Sequence, residues 1–275
     1  MFTGAGNRAG RGRKNPKMSA RTIKGNNTAA SGNVLDLTAD QTAAILPFGK
    51  MEYGARRAPF IYSDLMDMIV SGTNILAIPY VGTPIGTGTA NTLSQSAVNH
   101  PGVCLFQSSA TANTGFWFSA KDVILNGGEQ YDCIFKTPPV FATVTARIGI
   151  HDSVTSADSA NGVYFEFSGT GVLTAKSANA SVRTTSATIT TLAVSTWYHA
   201  RITCNTPFTQ ATFQVFDNTG AQLGTTTNIT TNLPTILVFP IVTMTSSGTA
   251  AISLLSIDYV SFAINANNLV RGATN

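Results

Sequence analysis

Chemistry in this chain would have to come from few residues. His100, His151 and His199 are the three histidines, the side chains whose ordinary pKa lies near neutrality. His100 precedes Pro101-Gly102, a turn signal, and His199 follows Trp197-Tyr198 inside a strand-like run. A lone strand histidine is usually a packed or surface residue. Serine is so abundant that a Ser-His-Asp set would arise by chance, and there is no G-x-S-x-G elbow. Paired carboxylates would suggest glycoside hydrolysis. Glu129, Asp132, Asp152, Asp158, Glu166 and Asp258 are the candidates, and nothing in their spacing marks any two as convergent. Glu166 alternates with Phe165 and Phe167, so it should point away from a core. Enzymatic activity is therefore not expected.

Metal and nucleotide chemistry fare no better. Asp152 to Gly162 is a polar loop rich in oxygen donors, which hard cations favour, but its spacing is not that of an EF-hand. The preferred reading is a solvated loop. Cys104, Cys133 and Cys204 are odd in number and widely spaced, which suits reduced, partly buried thiols rather than a disulfide framework or a zinc site. Gly4 to Gly10 is not a dinucleotide fingerprint, since no strand precedes it and no helix follows. No cofactor and no metal are expected.

The elements that would position these residues are strands. From Val98 onward, short runs rich in Val, Ile, Thr, Phe and Tyr recur about every ten residues between turn clusters. Val163, Phe165 and Phe167 share one face of such a run, as do Phe213 and Val215. Asp217-Asn218-Thr219-Gly220 reads as a hairpin turn, with Gly220 free to take a positive φ. Ser and Thr supply 31 of the 89 residues from 168 to 256, which decorates solvated strand faces without charge. The fold expected is all-β: a jelly-roll or concanavalin-like antiparallel sandwich over residues 98–265, followed by a tail at 266–275.

The N-terminal stretch differs in kind. Residues 1–57 carry a net charge of +7 and residues 58–275 one of −3. Residues 1–33 read as an extended basic arm without apolar periodicity. Residues 34–46 read as a short helix, with Thr38 as cap, Gln41 three residues on, a stripe including Leu37 and Ile45, and Pro47 as stop. Within 60–70 either a two-turn helix capped by Ser63 or Asp64 or a strand from Asp67 fits. Residues 71–96 read as a link with an apolar island from Ile75 to Val81, so 34–97 is taken as a helix-plus-linker anchoring region. No apolar run reaches the roughly 18 residues of a membrane span, and Met1-Phe2-Thr3-Gly4 opens no secretory h-region. The arm holds no interleaved aromatics for base stacking, so an acidic protein surface is preferred over nucleic acid as its partner.

Five stretches carry a resemblance. They are Asn99-His100-Pro101-Gly102-Val103, Arg147-Ile148-Gly149-Ile150-His151-Asp152-Ser153, and Asn161-Gly162-Val163-Tyr164-Phe165-Glu166-Phe167. Thr196-Trp197-Tyr198-His199-Ala200-Arg201-Ile202 and Leu255-Ser256-Ile257-Asp258-Tyr259-Val260-Ser261-Phe262 complete the set. In this order, residues 99–262 resemble a β-sandwich domain recurrent in virion proteins of tailed bacteriophages. The resemblance implies a non-catalytic virion surface protein, usually a homotrimer, assembled in the host cytoplasm. It also implies that the matching residues are structural, with Trp197 and Tyr198 in the core and Asp258 serving backbone groups near the last strand.

Combined with the basic arm, it favours a capsid decoration protein of the cement or head-spike kind. Arg8, Arg11, Arg13, Lys14, Lys17, Arg21 and Lys24 would anchor it to the major capsid protein. Leu37, Thr38, Gln41 and Ile45 would meet their mates about a threefold axis. The runner-up is a tail fibre or receptor-binding protein holding host glycan, which an exposed aromatic pair on the body would favour. An RNA-virus coat protein and a carbohydrate-binding module of an enzyme are weaker alternatives.

Overall fold

The computed structural model describes residues 80–92, 100, 103–120, 122–248 and 253–263, together with five short paired strands before them. The chain divides into two units, residues 1–57 and 58–275. In the first unit, β1 (Ile23–Gly25) pairs antiparallel with β2 (Leu35–Leu37), placing Lys24 opposite Asp36. Leu37 therefore lies in a strand rather than a helix. Arg8, Arg11, Arg13, Lys14, Lys17, Arg21, Thr38, Gln41 and Ile45 lie outside the described residues.

The second unit is all-β, with no helix among its described residues. Its strands begin with β3 (Phe60–Ser63), β4 (Ile69–Ser71), β5 (Asn74–Ala77), β6 (Tyr80–Ile85), β7 (Thr89–Thr92), β8 (Cys104–Gln107) and β9 (Gly115–Ser119). They continue with β10 (Gln130–Lys136), β11 (Val144–His151), β12 (Gly162–Ser168), β13 (Val172–Asn179), β14 (Val182–Thr185) and β15 (Thr190–Thr191). The last are β16 (Trp197–Cys204), β17 (Ala211–Asp217), β18 (Gln222–Ile229), β19 (Phe239–Ser246) and β20 (Leu254–Ala263). The stretch from 60 to 92, read from sequence as either a helix or a strand within 60–70 and a link beyond, supplies strands β3 to β7 to the two sheets, with β4 at the strand alternative. Its Gly, Pro and Thr content hid strands that pair partly with neighbours, as β4 with β5 and β5 with β6, and partly with distant strands, as β3 with β20 and β6 with β9.

One sheet runs β18-β17-β16-β10-β20-β8-β7, with β3 also paired to β20. The other runs β14-β13-β12-β11-β19-β9-β6-β5-β4, with β15 also paired to β13. Every pairing is antiparallel, and the sheets pack as a jelly-roll sandwich. Strands near the chain's end fill central places: β20 lies between β10 and β8, and β19 between β11 and β9.

Period-two alternation builds the core. In the first sheet Tyr131, Cys133 and Phe135, then Tyr198, Ala200, Ile202 and Cys204, then Phe213 and Val215, all point inward and are buried. Ile148, Ile150, Val163, Phe165 and Phe167 answer from the second sheet. Phe165 meets Phe213 edge-on at 5.2 Å between ring centres, and Phe135 stacks on Phe167 at 5.9 Å. These aromatic pairs join the sheets, each adding about 0.5–1.5 kcal/mol beyond area burial. Cys104, Cys133 and Cys204 are buried, unpaired thiols whose pKa burial pushes up, which removes them as nucleophiles.

Candidate functional site

The same alternation turns a second set of residues outward on the first sheet. Strand register arranges them in rows. One row holds Ser256, Lys136 and Trp197. The next holds Tyr259, Ile134, His199 and Phe216, and the third holds Ser261, Asp132, Arg201 and Gln214. Same-face neighbours along a strand are about 7 Å apart, and four strands span about 14 Å. Trp197, His199, Arg201, Phe216, Ile134, Lys136 and Tyr259 are all half-buried.

Two histidine–carboxylate pairs hold this face in place. Asp258 sits at an irregularity between β10 and β20, where the register shifts at Ile134/Phe135. The bulge puts its carboxylate beside His100, whose Nδ1 lies 2.8 Å from Asp258 Oδ2. Since a carboxylate only accepts, His100 Nδ1–H donates and Nε2 is left as the ring's second polar atom. The His100 ring stacks on Trp197 at 3.8 Å, with 13° between planes. Next along β16, His199 Nε2 donates to Asp132 Oδ1 at 2.6 Å, and its ring stacks on Phe216 at 5.3 Å. Asp132 also accepts Arg201 Nε on Oδ1 at 2.7 Å and Gln130 Nε2 on Oδ2 at 2.6 Å. Burial works to raise the Asp132 pKa, but the bonds from His199, Gln130 and Arg201 outweigh it and hold the carboxyl below its ordinary value.

The second sheet's outer face is a closed ionic cluster. Arg147 Nε donates to Asp158 Oδ1 at 3.1 Å and to Glu166 Oε2 at 2.8 Å. Lys176 Nζ bridges the same two carboxylates at 3.0 and 2.7 Å. The Tyr164 hydroxyl donates to Asp158 at 2.7 Å, and Arg183 Nε lies 3.2 Å from it. Burial would raise the Asp158 pKa, yet Tyr164, Lys176 and Arg147 hold it at about 2. Structure thus brings together two carboxylates that sequence spacing did not pair. Glu166 does point away from the core, but into this network rather than into water.

The loop from Asp152 to Asn161 closes over the cluster. Asp152 accepts Ala160 N–H and Asn161 Nδ2, and Thr243 Oγ1 donates to Ser153 O. Its carboxylates are spent on protein donors, and no metal-type grouping of ligands occurs among the described residues. It is an ordered latch that leaves Val154, Thr155 and Ala157 exposed to solvent. His151 lies beneath it, fully buried; burial and then Arg147 lower its pKa to about 3, so the ring is neutral. Its Nδ1 accepts Ser153 N–H at 3.2 Å.

Other sequence candidates are structural. Glu129 is buried and accepts the backbone N–H groups of Asn126 and Gly127, holding a turn. Tyr198 anchors the core as the resemblance implies, but Trp197, its strand neighbour, faces outward. Asp258 binds His100. The one signal that could have found this face was the spacing Trp197-x-His199-x-Arg201, which in a strand sets all three on one side.

A two-sheet sandwich with an aromatic and polar outer face is the class of protein these features define. Residues 99–258 match the SO2946-like, C-terminal domain family, and the chain belongs to that family. The protein of unknown function SO2946 from Shewanella oneidensis MR-1 is 23% identical, with a TM-score of 0.62 over 75% of this chain and 86% of that one. A native glycosidic hydrolase is 10% identical, with a TM-score of 0.50 over 74% of this chain and 94% of its own. The CBM2 module of the evolved Dit of Lactobacillus casei BL23 phage J-1 is 12% identical, with a TM-score of 0.49 over 76% and 97%. These likenesses are of fold. No curated protein matches the chain.

Proposed function

We propose that this chain is a non-enzymatic surface protein of a tailed-phage particle, whose sandwich binds saccharide on the outer face of the first sheet. The observation that carries this reading is the row Tyr259, Ile134, His199 and Phe216, flanked by the His100–Trp197 stack. A sugar ring has an apolar C–H face and a rim of hydroxyls. It therefore favours aromatic platforms beside fixed polar groups, and this face supplies both. An exposed aromatic pair on the body was the feature that would favour the receptor-binding alternative, and the half-buried Trp197, Phe216 and Tyr259 on the outer face support it. Placement on a virion, as a homotrimer, rests on the resemblance to phage virion domains.

A non-catalytic role is supported by the state of two of the candidate carboxylates. Glycoside hydrolysis needs one acid that keeps its proton near neutral pH. Asp158 and Asp132 are instead held ionised by several donors each.

The +7 charge of residues 1–57 favours a second reading, a capsid decoration protein held on the acidic major capsid protein by its arm. One experiment separates the two. Full-length protein and its Trp197→Ala variant are screened on a glycan array, and full-length protein is mixed with bare capsid shells at low and high salt. Binding of glycans that Trp197→Ala weakens at least tenfold is the expected result. No glycan bound, with shells captured at low salt and released at high salt, would move the function to capsid decoration.

A further inference from the structure

Resting on the saccharide reading, we propose that the ligand of this face is an anionic saccharide, one bearing carboxylate or phosphate groups, gripped by Arg201 and Lys136. Hydrogen-bonding capacity on the face is lopsided. Both carboxylates are covered by their donors: the Asp132 side chain is 8% exposed and takes donors on both oxygens, and that of Asp258 is 10% exposed and takes His100. Little carboxylate capacity is left for sugar hydroxyls or for a cation.

Donor capacity, by contrast, points outward. Arg201 spends Nε on Asp132 and, among the described residues, keeps its two terminal nitrogens, with a side chain 37% exposed and its guanidinium carbon 5.8 Å from the centre of the Phe216 ring. That leaves the forked edge suited to a carboxylate or phosphate. Lys136 has no ion-pair partner among the described residues, and its Nζ lies 6.0 Å from the centre of the Trp197 ring. The outer face of the opposite sheet makes the contrast, since Arg147, Lys176 and Arg183 are all committed to Asp158 or Glu166.

Position strengthens the case. Lys136 and Arg201 occupy the rows on either side of Tyr259, Ile134, His199 and Phe216. A ring stacked on that row would have a cation on each flank, about 13 Å apart along the strands. A saccharide with acidic groups on neighbouring units meets both; a neutral one leaves Lys136 without a counter-charge and the terminal nitrogens of Arg201 without an acceptor, which is costly.

Titration calorimetry of the full chain with matched ligand pairs tests this. One pair is oligogalacturonate and its methyl ester; the other is a mannose oligosaccharide with and without a terminal 6-phosphate. The charged member of at least one pair should bind tenfold or more tightly at low salt, and the ratio should fall as salt rises. Which pair shows it separates carboxylate from phosphate. Arg201→Gln and Lys136→Gln should each move the ratio toward one, while Arg183→Gln on the opposite sheet leaves it unchanged. Arg201→Lys, which keeps the charge, guards against loss of Asp132 anchoring and should retain part of the preference. Equal binding of charged and neutral members, weakened by Trp197→Ala, overturns the anionic preference and leaves the saccharide reading intact. Failure of every saccharide, or a single-stranded oligonucleotide bound more tightly than any of them, sinks both.

Discussion

Asp158 shows how a residue's role is set by its neighbours rather than its type. Alone in the loop it looked like a ligand for calcium or a solvated acid. In the fold it receives Arg147, Lys176, Arg183 and Tyr164, and it ties the latch over 152–161 to the second sheet. Its folded pKa of about 2 lies below the unfolded value of about 3.9. A depressed carboxyl stabilises the fold fully above the unfolded pKa, and that contribution is lost as pH falls through the folded one. We expect Asp158→Asn to cost about 2–3 kcal/mol at pH 7, because Arg147 is left partly unpaired. In urea denaturation the gap between variant and parent should close between about pH 4 and pH 2. A gap that stays constant with pH would mean the carboxylate's charge is not what holds the latch. Trp197, assigned to the core by resemblance, makes the complementary point. Tyr198 already fills the inward position, so alternation sends Trp197 to the outer face.

Among the elements, strands with large apolar residues were legible and those without them were not. The runs at 144–150, 163–167, 198–204 and 211–216 coincide with β11, β12, β16 and β17. The Asp217–Gly220 turn is also as read, with Gly220 at φ +85° and Asp217 accepting Thr219 and Ala221 N–H groups. β13 (VLTAKSAN) and β18 (QLGTTTNI) escaped notice, since Ala, Ser and Thr carry little periodic signal. They are strands because β12 and β17 offer them ladders. β18 depends on one glycine: Gly224 has φ +64° beside a register shift, and a Cβ there would meet Ile189 O at 2.1 Å. Gly224→Ala should therefore cost about 2–4 kcal/mol through strain and displacement of that backbone. Thermal melts would show it; a loss below about 0.5 kcal/mol would mean the edge strand moves aside freely.

For the whole molecule, the cohesive unit begins at residue 58. The described core lies between Val103 and Phe262, so a chain of residues 58–275 should fold and unfold cooperatively, with a Tm within a few degrees of full length. Circular dichroism melts check this, and a broad, early transition would make residues 1–57 part of the folding unit. The sequence by itself determined what depends on local pattern: an all-β chain, most of its strands, one hairpin turn, three unpaired thiols and the concentration of charge before residue 58. It could not show the outer-face cluster. His100, Asp132, Trp197, His199, Phe216 and Asp258 are spread over 159 residues and meet only because β20 inserts beside β10, and β16 and β17 follow in register. Sheet order and register are non-local choices, made by which buried faces pack best against each other, and no window of sequence contains them.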